Sequence, residues 1–517
     1  MSNIAGAQPR PRETPALRAD TLADSIVILL VLTVVQRAVG FCRAVLFCRW
    51  LDPGQLGEWE MAFGFFLLAG PLVVLALPGA FGRYVEHFRQ KGQLRTFLRR
   101  TMLACAAMAS AAALAIVVFR GWFARLIFGE SELGSLAALV AVSLLAVVAF
   151  NFLTELFTAL RNVRLVAGLQ FVNSVAFAVL GIGMILGWGS SASTVVAAYG
   201  GACLVSVLIA GVWLGRTWRD MPDGGTPLAH RVLWRKLVPF AFWIWCGNVL
   251  GNLFEMVDRY LILHAMPVDH DTALAMVGQY HSSRVMPALL FSIAALLGSM
   301  ITPHLSCDWE AGRRDQVSAR LNLFLKMLAA AMVAAGVLAL CVAPLLFGVA
   351  FRGKFAQGEA ILPWTLIYSI WFGLAAVAQN YLWCAEKARW GSLALLVGLT
   401  VNVLLNLMLL PRLGLLGAVL ATSGANALVL ALVCTFDRIA GFQMDRSTWV
   451  LLALPLVLCL GPGTAAGLLA IVVLDGLVFD RLLTREEKRL LTDTVTQYAA
   501  RLRNWSAGWH WPERSTA

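Results

Sequence analysis

Between Gly251 and Leu263 the chain reads GNLFEMVDRYLIL, with Glu255, Asp258 and Arg259 inside a stretch that is otherwise apolar on both sides. Asn248, Asn252, Glu255 and Arg259 follow one another at steps of 4, 3 and 4. At 100° per residue they fall within about 60° of one another on a helix, with Asp258 about 80° aside. Two more arginines, Arg37 and Arg43, lie in QRAVGFCRAVLFCRW, six residues apart and so about 120° around a helix. His281 and Arg284 occur in QYHSSRVMP, and Asn151, Thr154, Glu155 and Thr158 share one face of a further apolar run. A charge at the centre of a bilayer costs about 2.5–3.5 kcal/mol or more, so such residues face a partner helix or a wet cavity. Arg37, Arg43, Arg259 and Arg284 outnumber Glu255 and Asp258, and this balance suits an anionic substrate. Arginine keeps its proton, and its planar fork matches phosphate oxygens. These four, with Asn252, are the candidate binding residues; Glu255, Asp258 and Glu155 are the candidate coupling acids. The same spacing also allows plain structural pairing, with Glu255 and Arg259 joined along one helix in the favourable order, or Arg37 paired with Asp258.

The elements that carry these residues are membrane spans. The mean hydropathy is +0.76. Apolar residues make up 60% of the chain and charged ones 14%, against roughly 45–50% and 25% in soluble domains. A crossing helix needs about 20 apolar residues. Twelve segments qualify, at 22–48, 58–82, 98–119, 133–159, 164–188, 193–215, 237–263, 275–303, 320–346, 360–384, 391–410 and 414–436. Two shorter apolar runs, 448–461 and 464–480, surround the GPG at Gly461–Gly463 and form either two tight crossings or a re-entrant hairpin. With both termini placed in the cytoplasm, 30 of the 41 Lys and Arg fall on the inner side and 5 on the outer, as the positive-inside rule requires. The net charge of +12 is thereby used for orientation, and nucleic acid is not expected as a partner.

The chain also reads as two copies of one unit. Gly57 and Gly278, RNVR (Arg161–Arg164) and EKAR (Glu386–Arg389), and Asn173 and Asn402 are separated by 221, 225 and 229 residues. The expected organisation is all-α: twelve core helices in two pseudo-symmetric six-helix lobes plus a C-terminal hairpin, fourteen spans in all. Its parts are a cytoplasmic tail (1–21), the first lobe (22–216), a cytoplasmic linker (217–236), the second lobe (237–440), the hairpin (441–480) and a basic amphipathic tail (481–517). Parallel repeats of this kind hold their substrate between the lobes. No Walker A sequence, H-E-x-x-H or Cys/His metal spacing occurs, so no cofactor or metal is expected. GIGMILG (Gly181–Gly187) follows no strand and reads as helix packing.

Three stretches, QRAVGFCRAVLFCRWLDPGQLGEW, MVDRYLIL with the following VGQY, and VNVLLNLMLLPRLGLLGAVLAT (Val401–Thr422), resemble one family. It is the polysaccharide-transport branch of the multidrug/oligosaccharidyl-lipid/polysaccharide exporter superfamily, whose members include lipid-linked oligosaccharide and O-antigen flippases. The resemblance implies a MATE-like, two-lobed helical fold with alternating access in the bacterial cytoplasmic membrane. It implies a polyprenyl-pyrophosphate-linked oligosaccharide as substrate, membrane lipid around it, and a polysaccharide polymerase and glycosyltransferases as candidate partners. Arg37 and Arg43 match basic residues of the family's first helix, and Asp258 and Arg259 its Asp-Arg in the seventh. Lipid II flippases, a sister branch, have Asp directly after the second Arg; Ala44 stands there in this chain, which weighs against lipid II. A multidrug/cation antiporter of the same fold is the alternative, and its cavity would carry the opposite charge balance.

Overall fold

A computed structural model describes residues 22–223, 228–479, 482–483 and 487–489. The N-terminal tail (1–21) and most of the expected basic amphipathic tail (481–517) fall outside the described residues. Backbone groups have no water to bond in a bilayer core, so apolar runs of this length form helices. In order they are α1 (Leu22–Trp50), α2 (Pro53–Val73), α3 (Phe81–Gln90), α4 (Leu94–Val118), α5 (Arg120–Phe128), α6 (Gly134–Ala159), α7 (Val163–Trp188), α8 (Ala192–Thr217) and α9 (His230–Ala265). They continue as α10 (His270–Glu310), α11 (Arg314–Leu345), α12 (Ala356–Ala378), α13 (Asn380–Cys384), α14 (Ala388–Leu413), α15 (Leu415–Ile439), α16 (Arg446–Ala453) and α17 (Pro462–Val478). Twelve of the described helices are long and apolar enough to cross a membrane, and the two of the hairpin are shorter. The protein is a multi-pass membrane protein.

The second span departs from expectation. Instead of one helix over 58–82, α2 ends at Val73, Leu75 and Ala76 take left-handed backbone (φ 50° and 46°), and a 3-10 turn at Leu77–Ala80 leads into α3. Pro71 and Pro78 supply no N–H and crowd the preceding turn, which breaks the helix here. The amphipathic α3 then lays Tyr84 against the base of α9, its hydroxyl donating to the Lys236 carbonyl at 3.2 Å. Near the start of α4, Arg95 donates to the carbonyls of Arg219 and Met221, Thr96 to Asp223, and Arg100 to the Leu228 carbonyl. The described part of the 217–236 linker is therefore clamped to the first repeat.

The twofold repetition is visible in the backbone. Left-handed residues recur at Gly92 and Gly312, Arg161 and Glu386, and Gly189 and Gly414. Their separations of 220, 225 and 225 residues lie close to the 221, 225 and 229 read from the sequence.

Two compact units emerge. The first holds residues up to 289 with 344–361 and 395–422; the second holds 290–343, 362–394 and the chain from 423. In the first, an aromatic cluster of Phe47, Trp59, Phe63, Phe177 and Tyr199 ties α1, α2, α7 and α8 together. In the second, the hairpin is fastened by polar groups. Lys326 of α11, 1% exposed, reaches Asp445 and Glu487 at 2.7 Å each. Asn322 donates to the Gln443 carbonyl and accepts from Thr448, while Trp371 donates to the Leu452 carbonyl.

Candidate functional site

Gly57 and Gly278 allow the site to form. A methyl group at Gly57 would overlap the Leu274 carbonyl, and one at Gly278 would overlap the Pro53 carbonyl. Only glycine lets α2 and α10 meet backbone to backbone at this end. The same end is tied further by Lys354, which bonds Asp52 at 2.8 Å, and by Gln279, which donates to the Lys354 carbonyl and accepts from the Gly358 N–H. Arg49 donates to the Val349 and Ala350 carbonyls. Asp269 caps α10, and the Thr272 N–H holds its carboxyl below the usual carboxylate range.

One turn further along both helices, Glu60 and His281 meet. Glu60 is 2% exposed, and its carboxylate lies 2.6 Å from His281 Nδ1, 2.8 Å from Arg259 Nη2 and 3.8 Å from Arg284 Nη1. Arg284 also bonds Glu255 at 3.1 Å. Asn252 donates to the Leu67 carbonyl at 2.7 Å, so the polar stripe of α9 faces α2. Arg43 of α1 is half-buried with its guanidinium 4.1 Å above the Phe177 ring. It makes no ion pair among the described residues.

On the other side of α9, Asp258 is buried and accepts three neutral hydrogen bonds. They come from Tyr280 (2.9 Å), Asn406 (2.9 Å) and Thr422 (2.7 Å). Asn406 in turn donates to Asn402. Arg284 is the charged group that acts on Asp258. Four helices, α9, α10, α14 and α15, thus converge on one carboxylate.

Of the residues singled out from sequence, Arg43, Asn252, Glu255, Asp258, Arg259 and Arg284 gather on α1, α9 and α10 within the first unit. Arg37 is exposed on α1 without a partner among the described residues, and Glu155 is exposed on α6. The pairings differ from the structural ones the spacing allowed. Arg259 bonds Glu60 instead of Glu255, and Asp258 bonds neutral donors instead of Arg37. Glu60 escaped the sequence reading, and with it the net charge of the cluster falls. The missed signal was present: Glu60 and His281 are 221 residues apart, the same separation as Gly57 and Gly278.

The sequence pattern of the family described as "Polysaccharide biosynthesis protein" matches residues 22–306, more than half of the chain. The chain belongs to that family. No curated protein matches it. Among solved structures, "Lipid II flippase MurJ, inward closed conformation" is similar at 12% identity and TM-score 0.65, over 87% of this chain and 100% of that one. An inward-facing "multidrug resistance MATE family transporter of the MOP superfamily" is similar at 14% identity and TM-score 0.57, over 78% and 95%. A MATE in complex with MaL6 is similar at 13% and 0.58, over 82% and 97%. The family member therefore has the fold of the MOP exporters, as its sequence resemblance implied.

Proposed function

We propose that this polysaccharide-family protein is a flippase, moving a polyprenyl-pyrophosphate-linked oligosaccharide outward across the cytoplasmic membrane for surface or exported polysaccharide. The supporting observation is Arg43. A guanidinium held in a spanning helix against an aromatic ring, with no carboxylate paired to it among the described residues, is costly unless an anion completes it. Arg284, a fifth exposed and shared between two acids, can turn to the same anion. The sugar would travel in the wet space and the lipid tail in the bilayer, with the two repeats rocking in alternating access. Among the coupling candidates, Asp258 is best suited, because its carboxylate is buried and its three hydrogen bonds come from neutral donors. Glu255 already has Arg284, and Glu155 is exposed.

The test is a reconstituted assay of lipid-linked sugar reaching the opposite leaflet. Arg43→Ala and Arg284→Ala should each slow exposure about tenfold to hundredfold, the equivalent of the roughly 1.5–3 kcal/mol carried by a hydrogen bond to a charged group. Exposure undiminished in both would refute the reading. The second reading, a multidrug/cation antiporter, draws on Asp258 and the MATE likeness. It requires that Asp258→Asn abolish drug efflux while Arg43→Ala leaves efflux intact.

A further inference from the structure

Glu60 and His281 occupy equivalent places in the two repeats and meet one turn from the glycine contact that presses α2 against α10. We propose that this pair is a proton-binding site that links the protonation of His281 to closure of the Gly57–Gly278 end. The inference rests on the transporter reading only in that closure is taken to be a step of the cycle.

In the closed form a carboxylate lies 2.6 Å from His281 Nδ1 and stabilises an imidazolium there. Glu60 is the acid facing the ring. Burial and Arg43 of α1 oppose positive charge on the ring and Glu60 favours it, while Arg259 and Arg284 share Glu60 and Glu255 balances Arg284. Asp258 reaches this stretch through the Tyr280 hydroxyl, next in sequence to His281, and through the charge of Arg284. Parting α2 from α10 takes Glu60 away from His281. Arg259, on α9, can stay with Glu60, so the acid keeps a counter-charge while the imidazole loses its own. With Arg284 three residues along the same helix, a separated imidazolium sheds its proton. The closed form therefore binds the proton more tightly, and the sign follows: low pH favours closure and high pH favours opening. Glycine at 57 and 278 ties the pair to the helix contact, because α2 and α10 meet there backbone to backbone.

The experiment needs no substrate. Spin labels are placed at Gly54, where added atoms meet open space, and at exposed Thr272, in a full-length chain whose 10 native cysteines are replaced. Dipolar broadening is compared between about pH 5.5 and about pH 8.5, either side of the ordinary imidazole range. Broadening should be strong at the lower pH and weaker at the higher. His281→Asn, which keeps a donor near the Nδ1 position but takes up no proton, should make the two spectra alike. His281→Gln serves the same purpose should the first variant fold poorly by thermal unfolding. Glu155→Gln, at an exposed position on α6, should keep the pH response. A response that survives in the His281 variants, or a wild type unchanged by pH, would overturn the proposal. Failure of sugar exposure with the pH response intact would instead count against the flippase reading alone.

Discussion

At the scale of single residues, the site is a lesson in which charges can be left alone. Arg259 is buried, and Glu60 is its only acid among the described residues. Removing one member of a buried pair strands the other, at a cost of about 3–5 kcal/mol. Glu60→Ala should therefore lower the thermal midpoint in detergent sharply, where Glu155→Ala, at an exposed position, leaves it unchanged. Asp258→Asn should behave differently. Its three donors come from neutral groups, so the fold should hold while transport is lost, as measured by sugar exposure in vesicles. The sequence displayed Asp258, Arg259 and Arg284 because charge is conspicuous in apolar runs. It hid their partners, since Glu60 and Arg259 are brought together by packing of helices far apart along the chain.

At the scale of helices, contact geometry sets the tolerances. Gly57→Val and Gly278→Val should each reduce thermal stability, because their side chains would meet backbone carbonyls that cannot withdraw. Gly54→Ala, at the same end but facing open space, is the matched control and should have no effect. The hairpin offers a second case. Lys326→Met would take the buried ammonium away from Asp445, so the segment before α16 should become accessible to limited proteolysis. Hydropathy located the long helices well, because length and apolarity decide a span. It missed the break after Val73, where Pro71 and Pro78 act locally within a run that stays apolar throughout.

At the scale of the whole molecule, the duplicated architecture was legible from a handful of matched positions, and the recurring turn conformations bear it out. Reporters fused at both termini should show a cytoplasmic location, and reporters in the segments after α5 and before α12 the opposite one. A reversed pattern would invert the direction assigned to transport.

The turns carry a practical corollary. Arg161, Arg352 and Glu386 hold side chains in left-handed backbone, where glycine is the natural occupant. An L-residue in that conformation gives up about 1–2 kcal/mol. Glycine at Arg352 or Glu386, away from the charged cluster, should lengthen the working lifetime of purified material in detergent, giving biochemists a hardier version of the same machine.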